Sequence, residues 1–219
     1  MAIVGFFDIL GTREAVMADR FSDVDALEFV NPIGIAARFT PNVRFAVFSD
    51  SLIVSADDSE SLALLRAINF MYGNWFSELV YVRGALAIGD IHWIHDSASD
   101  DLFQKLSNFT YARVYGKGLV LAHQLEQKSG PGAVCYLTEN VAEFLRRVEP
   151  CAVLESHTPM LCWATEWEAT GLEGYAAVHL EGTPKDTDEW RHAFSTRHYW
   201  ANVVLQRKYL PVRYSVAGQ

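Results

Sequence analysis

The sequence is short of cysteine, of clustered basic residues and of long apolar runs, and each shortage removes a class of function. Its three cysteines, Cys135, Cys151 and Cys162, are an odd, widely spaced set with no C-x-x-C. Such a set lacks the spacing of a zinc site and reads as reduced thiols in a cytoplasmic protein. No Lys/Arg run exceeds the pairs Arg146-Arg147 and Arg207-Lys208, and 18 basic residues face 27 acidic ones for a net charge of −9. That balance excludes the basic patch of a protein that grips a nucleic-acid backbone. No window reaches the ~20 apolar residues of a membrane helix. Met1 to Phe7 is apolar but short, lacks a basic start and runs into Asp8, so it does not read as a signal peptide. Internal repeats, low-complexity tracts and linkers are also missing. The expectation is a cytoplasmic protein that uses neither a membrane nor a nucleic acid.

What is present suits a packed globule. Half of the 219 residues are apolar and 13% are aromatic, which fits one domain over residues 1–219, with a core of about 2–148 and an elaboration over about 149–219. Ala2–Phe7 has the length of a buried central strand. A helical stretch from Gly11 to Met17 follows, then an amphipathic one from Asp23 to Arg38. Val43–Phe48 and Ser51–Ala56 read as two strands joined by a hairpin turn at Ser49-Asp50. Ser59 is the expected N-cap of a helix from Ser61 to Phe76 with Leu62, Leu65, Ile68 and Met71-Tyr72 on one face. Val80–Ile94 reads as a strand interrupted by Gly84 and Gly89, and the polar stretch Asp96–Ser107 as a loop. Gly116-Lys-Gly118 opens a helix with Leu119, Leu121, Ala122 and Leu125. Ala133–Leu137 is a strand, and a helix follows through Arg147. Beyond Pro150 come short strands near Val153 and Met160–Ala164, a loop around Gly182–Pro184, and a helix from about Asp188 to Lys208. The order β-α-α-β-β-α-β-α-β predicts an α+β sandwich with helices on one face of a mainly antiparallel sheet.

Two acidic positions carry the chemistry. Asp8 ends the first strand in Phe6-Phe7-Asp8-Ile9-Leu10-Gly11, and Asp50 sits in the turn Phe48-Ser49-Asp50-Ser51. Taken singly, each has an ordinary reading, Asp8 as a helix cap and Asp50 as a turn residue. Taken together they say more. If the hairpin lies beside the first strand, the two carboxylates meet and repel unless a cation joins them. Mg²⁺ or Mn²⁺ binds carboxylate oxygen and keeps positions for substrate phosphates. Two such ions ~4 Å apart serve the attacking and leaving oxygens of a nucleotidyl transfer.

The pairing of F-x-D-x-x-G with F-S-D-S resembles the class III adenylate/guanylate cyclases. Two further segments fit in order. Val82-Arg83-Gly84-Ala-Leu-Ala-Ile-Gly89 is similar to the R-x-G-I-x-x-G strand of that family, and Tyr115-Gly116-Lys117-Gly118-Leu-Val-Leu-Ala122-His-Gln-Leu-Glu126 to its W-G-x-x-V-N-x-A-x-R-x-E helix. The resemblance spans Phe6 to about Leu137. It implies a ferredoxin-like βααββαβ sandwich with a C-terminal extension, two metal ions on Asp8, Asp50 and the Ile9 carbonyl, an Arg83 contact to the triphosphate, and a head-to-tail homodimer with sites between subunits. Arg113 and Tyr115 would then face the metal aspartates of the other subunit.

The departures concern the base and the ribose. Where the family carries an asparagine and an arginine on the helix, this chain has Val120 and Gln124. Where adenylate cyclases read adenine with a lysine and an aspartate, it has Ala46 and Arg113. An arginine offers only donors and suits the carbonyls of a pyrimidine, uracil ahead of cytosine. This pattern is similar to the Pycsar cyclases, small bacterial enzymes that make cyclic pyrimidine monophosphates as an antiviral signal read by an effector protein. The resemblance therefore implies a uridylate cyclase releasing cUMP and pyrophosphate. Lys117, at a helix start that favours anions, is a second candidate for the phosphates. The competing expectations are a cytidylate cyclase, an adenylate or guanylate cyclase with other base contacts, and an inactive cyclase-like nucleotide-binding module. A diguanylate-cyclase-like palm is disfavoured because G-G-D-E-F is missing. His92, His95, His123 and His198 show no ligand spacing, and Trp163, Trp167, Trp190 and Trp200 read as core or dimer contacts.

Overall fold

The computed structural model describes residues 1–78, 80–94, 114–164, 185 and 187–209. In chain order the elements are β1 (Ala2–Ile9), α1 (Thr12–Met17), α2 (Asp23–Phe39), β2 (Arg44–Phe48), β3 (Ser51–Asp57), α3 (Ser61–Ser77), β4 (Val82–Gly89), β5 (His92–Trp93), β6 (Val114–Tyr115), α4 (Lys117–Lys128), β7 (Cys135–Leu137), α5 (Glu139–Val148), β8 (Val153–Leu154), β9 (Met160–Leu161) and α6 (Asp188–Tyr209). The fold is α+β. Seven strands form one sheet in the order β2-β3-β1-β4-β7-β9-β8, and β5 and β6 form a separate ribbon. The pairing is antiparallel except between β4 and β7. Among the described residues no helix is long and apolar enough to cross a membrane.

β1 is central because it is apolar on both sides and both sides are covered. Successive strand residues point to opposite faces. Phe7 lies edge-on to Tyr72 of α3 and near Trp75, whose indole stacks on Phe29 of α2 and donates to the Phe29 carbonyl (2.8 Å). Phe6, one residue earlier, meets His123 of α4. The helices therefore occupy both faces, not the single face expected. Glycine makes the second face possible. A Cβ on Gly89 would lie 2.5 Å from the Gly118 amide nitrogen, and one on Gly118 would lie 2.7 Å from Val4 Cγ2. α4 therefore rests on β1 and β4 at backbone distance, a close approach that only residues without a Cβ allow.

Other departures are local. α3 has Glu60 at its N-cap, while Ser59 sits within a short 3₁₀ turn and donates its N–H to Asp58. Its buried face runs through Leu64, Leu65, Ala67, Ile68, Met71, Tyr72, Trp75 and Phe76, and Leu62 points outward. The Val80–Ile94 stretch is two strands: β4 ends at Gly89, and His92–Trp93 pairs instead with Val114–Tyr115. Beyond residue 148, Val153, Leu154, Leu161, Cys162, Trp163 and Trp200 join the same core cluster as Phe7 and Trp75. The Asp96–Ser107 and Gly182–Pro184 segments lie outside the described residues, as do His95 and Trp167.

Candidate active site

The register of three strand pairs builds a polar row on the face beneath α4. Phe48, Ser51, Asp8 and Arg83 are successive cross-strand partners from β2 to β4, and such partners share a face. The adjacent row is Ala46, Ile53, Phe6 and Ala85. β1 carries Asp8 within its paired length, so the strand runs two residues further than the apolar pattern predicts.

A two-residue turn delivers Asp50 to that row. Ser49 has φ 52°, the positive value that tight hairpin turns demand and that a residue with a side chain adopts at some cost. The turn is tied to the end of β1, because the Ile9 N–H donates to the Asp50 carbonyl (3.1 Å). The Ser51 hydroxyl donates to Asp8 Oδ1 (2.6 Å), and the Thr12 hydroxyl donates to the Ile9 carbonyl (3.2 Å). Asp8 is half-buried, and burial pushes its pKa up from the usual carboxylate value. The Asp50 and Glu126 charges push the same way, against the Ser51 hydroxyl and the Arg83 guanidinium. The two aspartates therefore feel each other, and among the described residues neither has a cation within 4.0 Å.

Arg83 lies across the strand pair from Asp8 but is engaged elsewhere. Its Nε and Nη2 reach Glu126 Oε1 at 2.7 and 2.5 Å, and Nη1 lies 3.5 Å from the Gly130 carbonyl. The glutamate side chain is 0% exposed. In the sequence Glu126 has no role beyond completing the helix motif. Gly118, Ala122 and Glu126, at i, i+4 and i+8, are the buried residues of α4, a stripe that the packing over Gly89, not apolar character, turns to the sheet side.

Tyr115 and Lys117 lie apart from this cluster within the chain. Gly118 packs on Gly89, whose strand partner is Ala2, so the start of α4 sits at the opposite end of β1 from Asp8. Six strand steps separate Ala2 from Asp8, about 20 Å at ~3.3 Å per residue. Lys117 is exposed there, and Tyr115 is exposed and stacked on His92 (4.9 Å). Gln124 and Val120 are exposed on α4, and Ala46 is half-buried in the row beside Asp8. Arg113 lies outside the described residues. A groove of about 530 Å³ at the Ala2 end is lined by Ala2, Arg44, Ser55, Asp57, Ile91 and Trp93. A smaller one, about 380 Å³, adjoins Ile9, Gly11, Thr12, Arg20 and Tyr81. Neither is lined by Asp8 or Asp50, and the larger of these two grooves lies at the other end of the sheet from the carboxylate pair.

Among the described residues no cluster of three or more His, Cys, Asp or Glu side chains is arranged to hold a metal ion. Two uncompensated carboxylates and a nearby carbonyl nevertheless suit a hard divalent cation that draws its other ligands from substrate phosphates and water. The all-oxygen donor set fits Mg²⁺ or Mn²⁺ and does not supply the cysteine and histidine ligands that zinc prefers.

No protein-family model matches the sequence, and no curated protein matches it. Among solved structures the chain is similar to a bacterial light-regulated adenylyl cyclase, at 16% identity and a TM-score of 0.46, covering 65% of this chain and 44% of that one. It therefore spans less than half the length of that protein. It is also similar to the adenylyl cyclase CyaB from P. aeruginosa, at 12% identity and a TM-score of 0.47, covering 73% and 90%. A third is the guanylyl cyclase domain of the RhoGC fusion protein from the aquatic fungus Blastocladiella emersonii. In its monomeric form it gives 11% identity and a TM-score of 0.44, covering 73% and 93%. Identities this low leave the side-chain chemistry of the site as the ground for a functional assignment.

Proposed function

We propose that this chain is a metal-dependent nucleotidyl cyclase that converts a pyrimidine nucleoside triphosphate, UTP ahead of CTP, into its 3′,5′-cyclic monophosphate and pyrophosphate. One observation carries the reading: Asp8 and Asp50, 42 positions apart in sequence, are joined at one sheet edge through the Asp8–Ser51 register and the Ile9–Asp50 hydrogen bond. Asp8, Asp50 and the Ile9 carbonyl would hold the divalent ions. When bound, such ions acidify a ribose hydroxyl and neutralise charge on the triphosphate. Ser51 orients the Asp8 carboxylate, and Arg83, one strand away and paired with Glu126, would contact the triphosphate.

The distance between the Asp8 end and the Tyr115–Lys117 end of the sheet supports a head-to-tail homodimer. In it Arg113, Tyr115, Lys117 and Gln124 of one subunit would approach the metal aspartates of the other, with Ala46 leaving room for the base. Pyrimidine choice rests on Arg113 and the missing purine-reading pair. The product would act as an antiviral second messenger of the Pycsar kind, read by a separate effector in the cytoplasm. The catalytic unit would be the whole 219-residue chain as one domain.

The test is product analysis of the purified protein with Mn²⁺ and each of ATP, GTP, CTP and UTP. The expected product is cUMP, with cCMP the alternative. Product from ATP or GTP alone would leave a cyclase and remove the pyrimidine assignment. A second reading, an inactive nucleotide-binding module, is favoured by Val120 and Gln124 at the ribose positions. It predicts nucleotide binding with no product from any of the four.

A further inference from the structure

The buried glutamate of α4 stands where a metal site has reason to need it. Asp8 and Arg83 are direct partners across β1 and β4, where opposite charges ordinarily pair. They do not: no ion pair of 4.0 Å or less joins them, and Arg83 turns to Glu126 through both Nε and Nη2. The competition favours the deeper carboxylate, since attraction strengthens where water is excluded. Glu126 is 0% exposed, and its second oxygen accepts from Gln127 Nε2 (3.0 Å). Small residues at Gly118 and Ala122 let the helix lie close enough to bring Glu126 down to the sheet.

We propose that Glu126 is a positioning residue that captures the Arg83 guanidinium and thereby keeps Asp8 available to a divalent cation. The inference rests on the metal-site reading of Asp8 and Asp50. Without Glu126, Arg83 is left with Asp8 as its direct cross-strand partner on that face. An arginine seated there would occupy the oxygens that a metal ion needs.

The test is titration of Mn²⁺ alone into the 219-residue chain, with free Mn²⁺ read by electron paramagnetic resonance and folding checked by thermal melting. Wild type binds Mn²⁺ and Asp8→Asn loses that binding. Glu126→Gln weakens binding about tenfold or more, and Arg83→Gln/Glu126→Gln restores at least wild-type affinity, because the competing cation has gone. A packing role for Glu126 would not produce that rescue. If Glu126→Gln does not fold, the double variant decides alone: affinity below wild type overturns the inference. Equal Mn²⁺ affinity in wild type and Glu126→Gln, with Asp8→Asn still defective, also overturns it while leaving the metal site intact. Wild type that binds no Mn²⁺ overturns both.

Discussion

Replacing Gly89 with alanine puts one methyl group where β4 and α4 meet backbone to backbone. The new Cβ would stand 2.5 Å from the Gly118 amide nitrogen and 2.6 Å from its Cα. Neither atom belongs to a side chain, so no rotamer change relieves the clash. α4 must retreat by roughly 1 Å, an overpacking of the kind that costs about 1–3 kcal/mol. The retreat also stretches the Gly118 N–H bond to the Asp90 carbonyl, now 3.0 Å. At about 2–4 °C per kcal/mol for a domain of this size, the melting temperature should fall by roughly 2–12 °C. Gly73→Ala is the control. It lies inside α3 with nothing within 4 Å of its would-be Cβ, so it should stabilise by about 0.4–1 kcal/mol. Thermal and urea melts of the two variants beside wild type make the measurement. A Gly89→Ala protein that melts with wild type would refute the close seating of α4, and with it the route by which Glu126 reaches Arg83.

Asp8→Asn should abolish product formation yet melt above wild type at pH 7. The sign follows from burial, which raises the Asp8 pKa in the folded state; ionised Asp8 then destabilises the fold at neutral pH. The advantage should shrink as pH falls through the raised folded value and vanish below the ordinary value of 3.8; a constant difference across that range would contradict it. Ser51→Ala removes the hydroxyl that holds the Asp8 pKa down, so the acid limb of the pH–rate profile should move to higher pH; an unmoved limb counts against Asp8 as the titrating ligand. Trp75→Ala empties the stack on Phe29 at a fully buried position and should cost about 3–5 kcal/mol by urea unfolding.

Much of this arrangement is legible in the sequence because it depends on local signals. An apolar run ending in Asp8 and a two-residue gap between β-rich segments mark a strand end and a turn; the pairing of β3 with β1 is what brings the two together. Glu126 is not legible that way: between Leu125 and Gln127-Lys128 it reads as a solvated helix residue. Only the seating of α4 over Gly89 turns its stripe of Gly118, Ala122 and Glu126 inward, leaving the leucines on the flanks. The same limit explains Leu62, whose apolar character suggested a core position that the packing of α3 gives to Leu64. Which face a helix covers, and through which residues, is decided by partners distant in the chain. Periodicity within a segment does not carry that information.

The pairing of β1 on both edges ties side-chain orientation to residue count. Inserting a single amino acid between Phe7 and Ile9 would leave the strand a choice between two errors. It could bulge out of two ladders at once, or shift by one place and turn its acidic end toward Tyr72 and Trp75. Exposed segments elsewhere can lengthen without touching that geometry. The length of the first strand is thus constrained as strictly as the identity of the aspartate it carries.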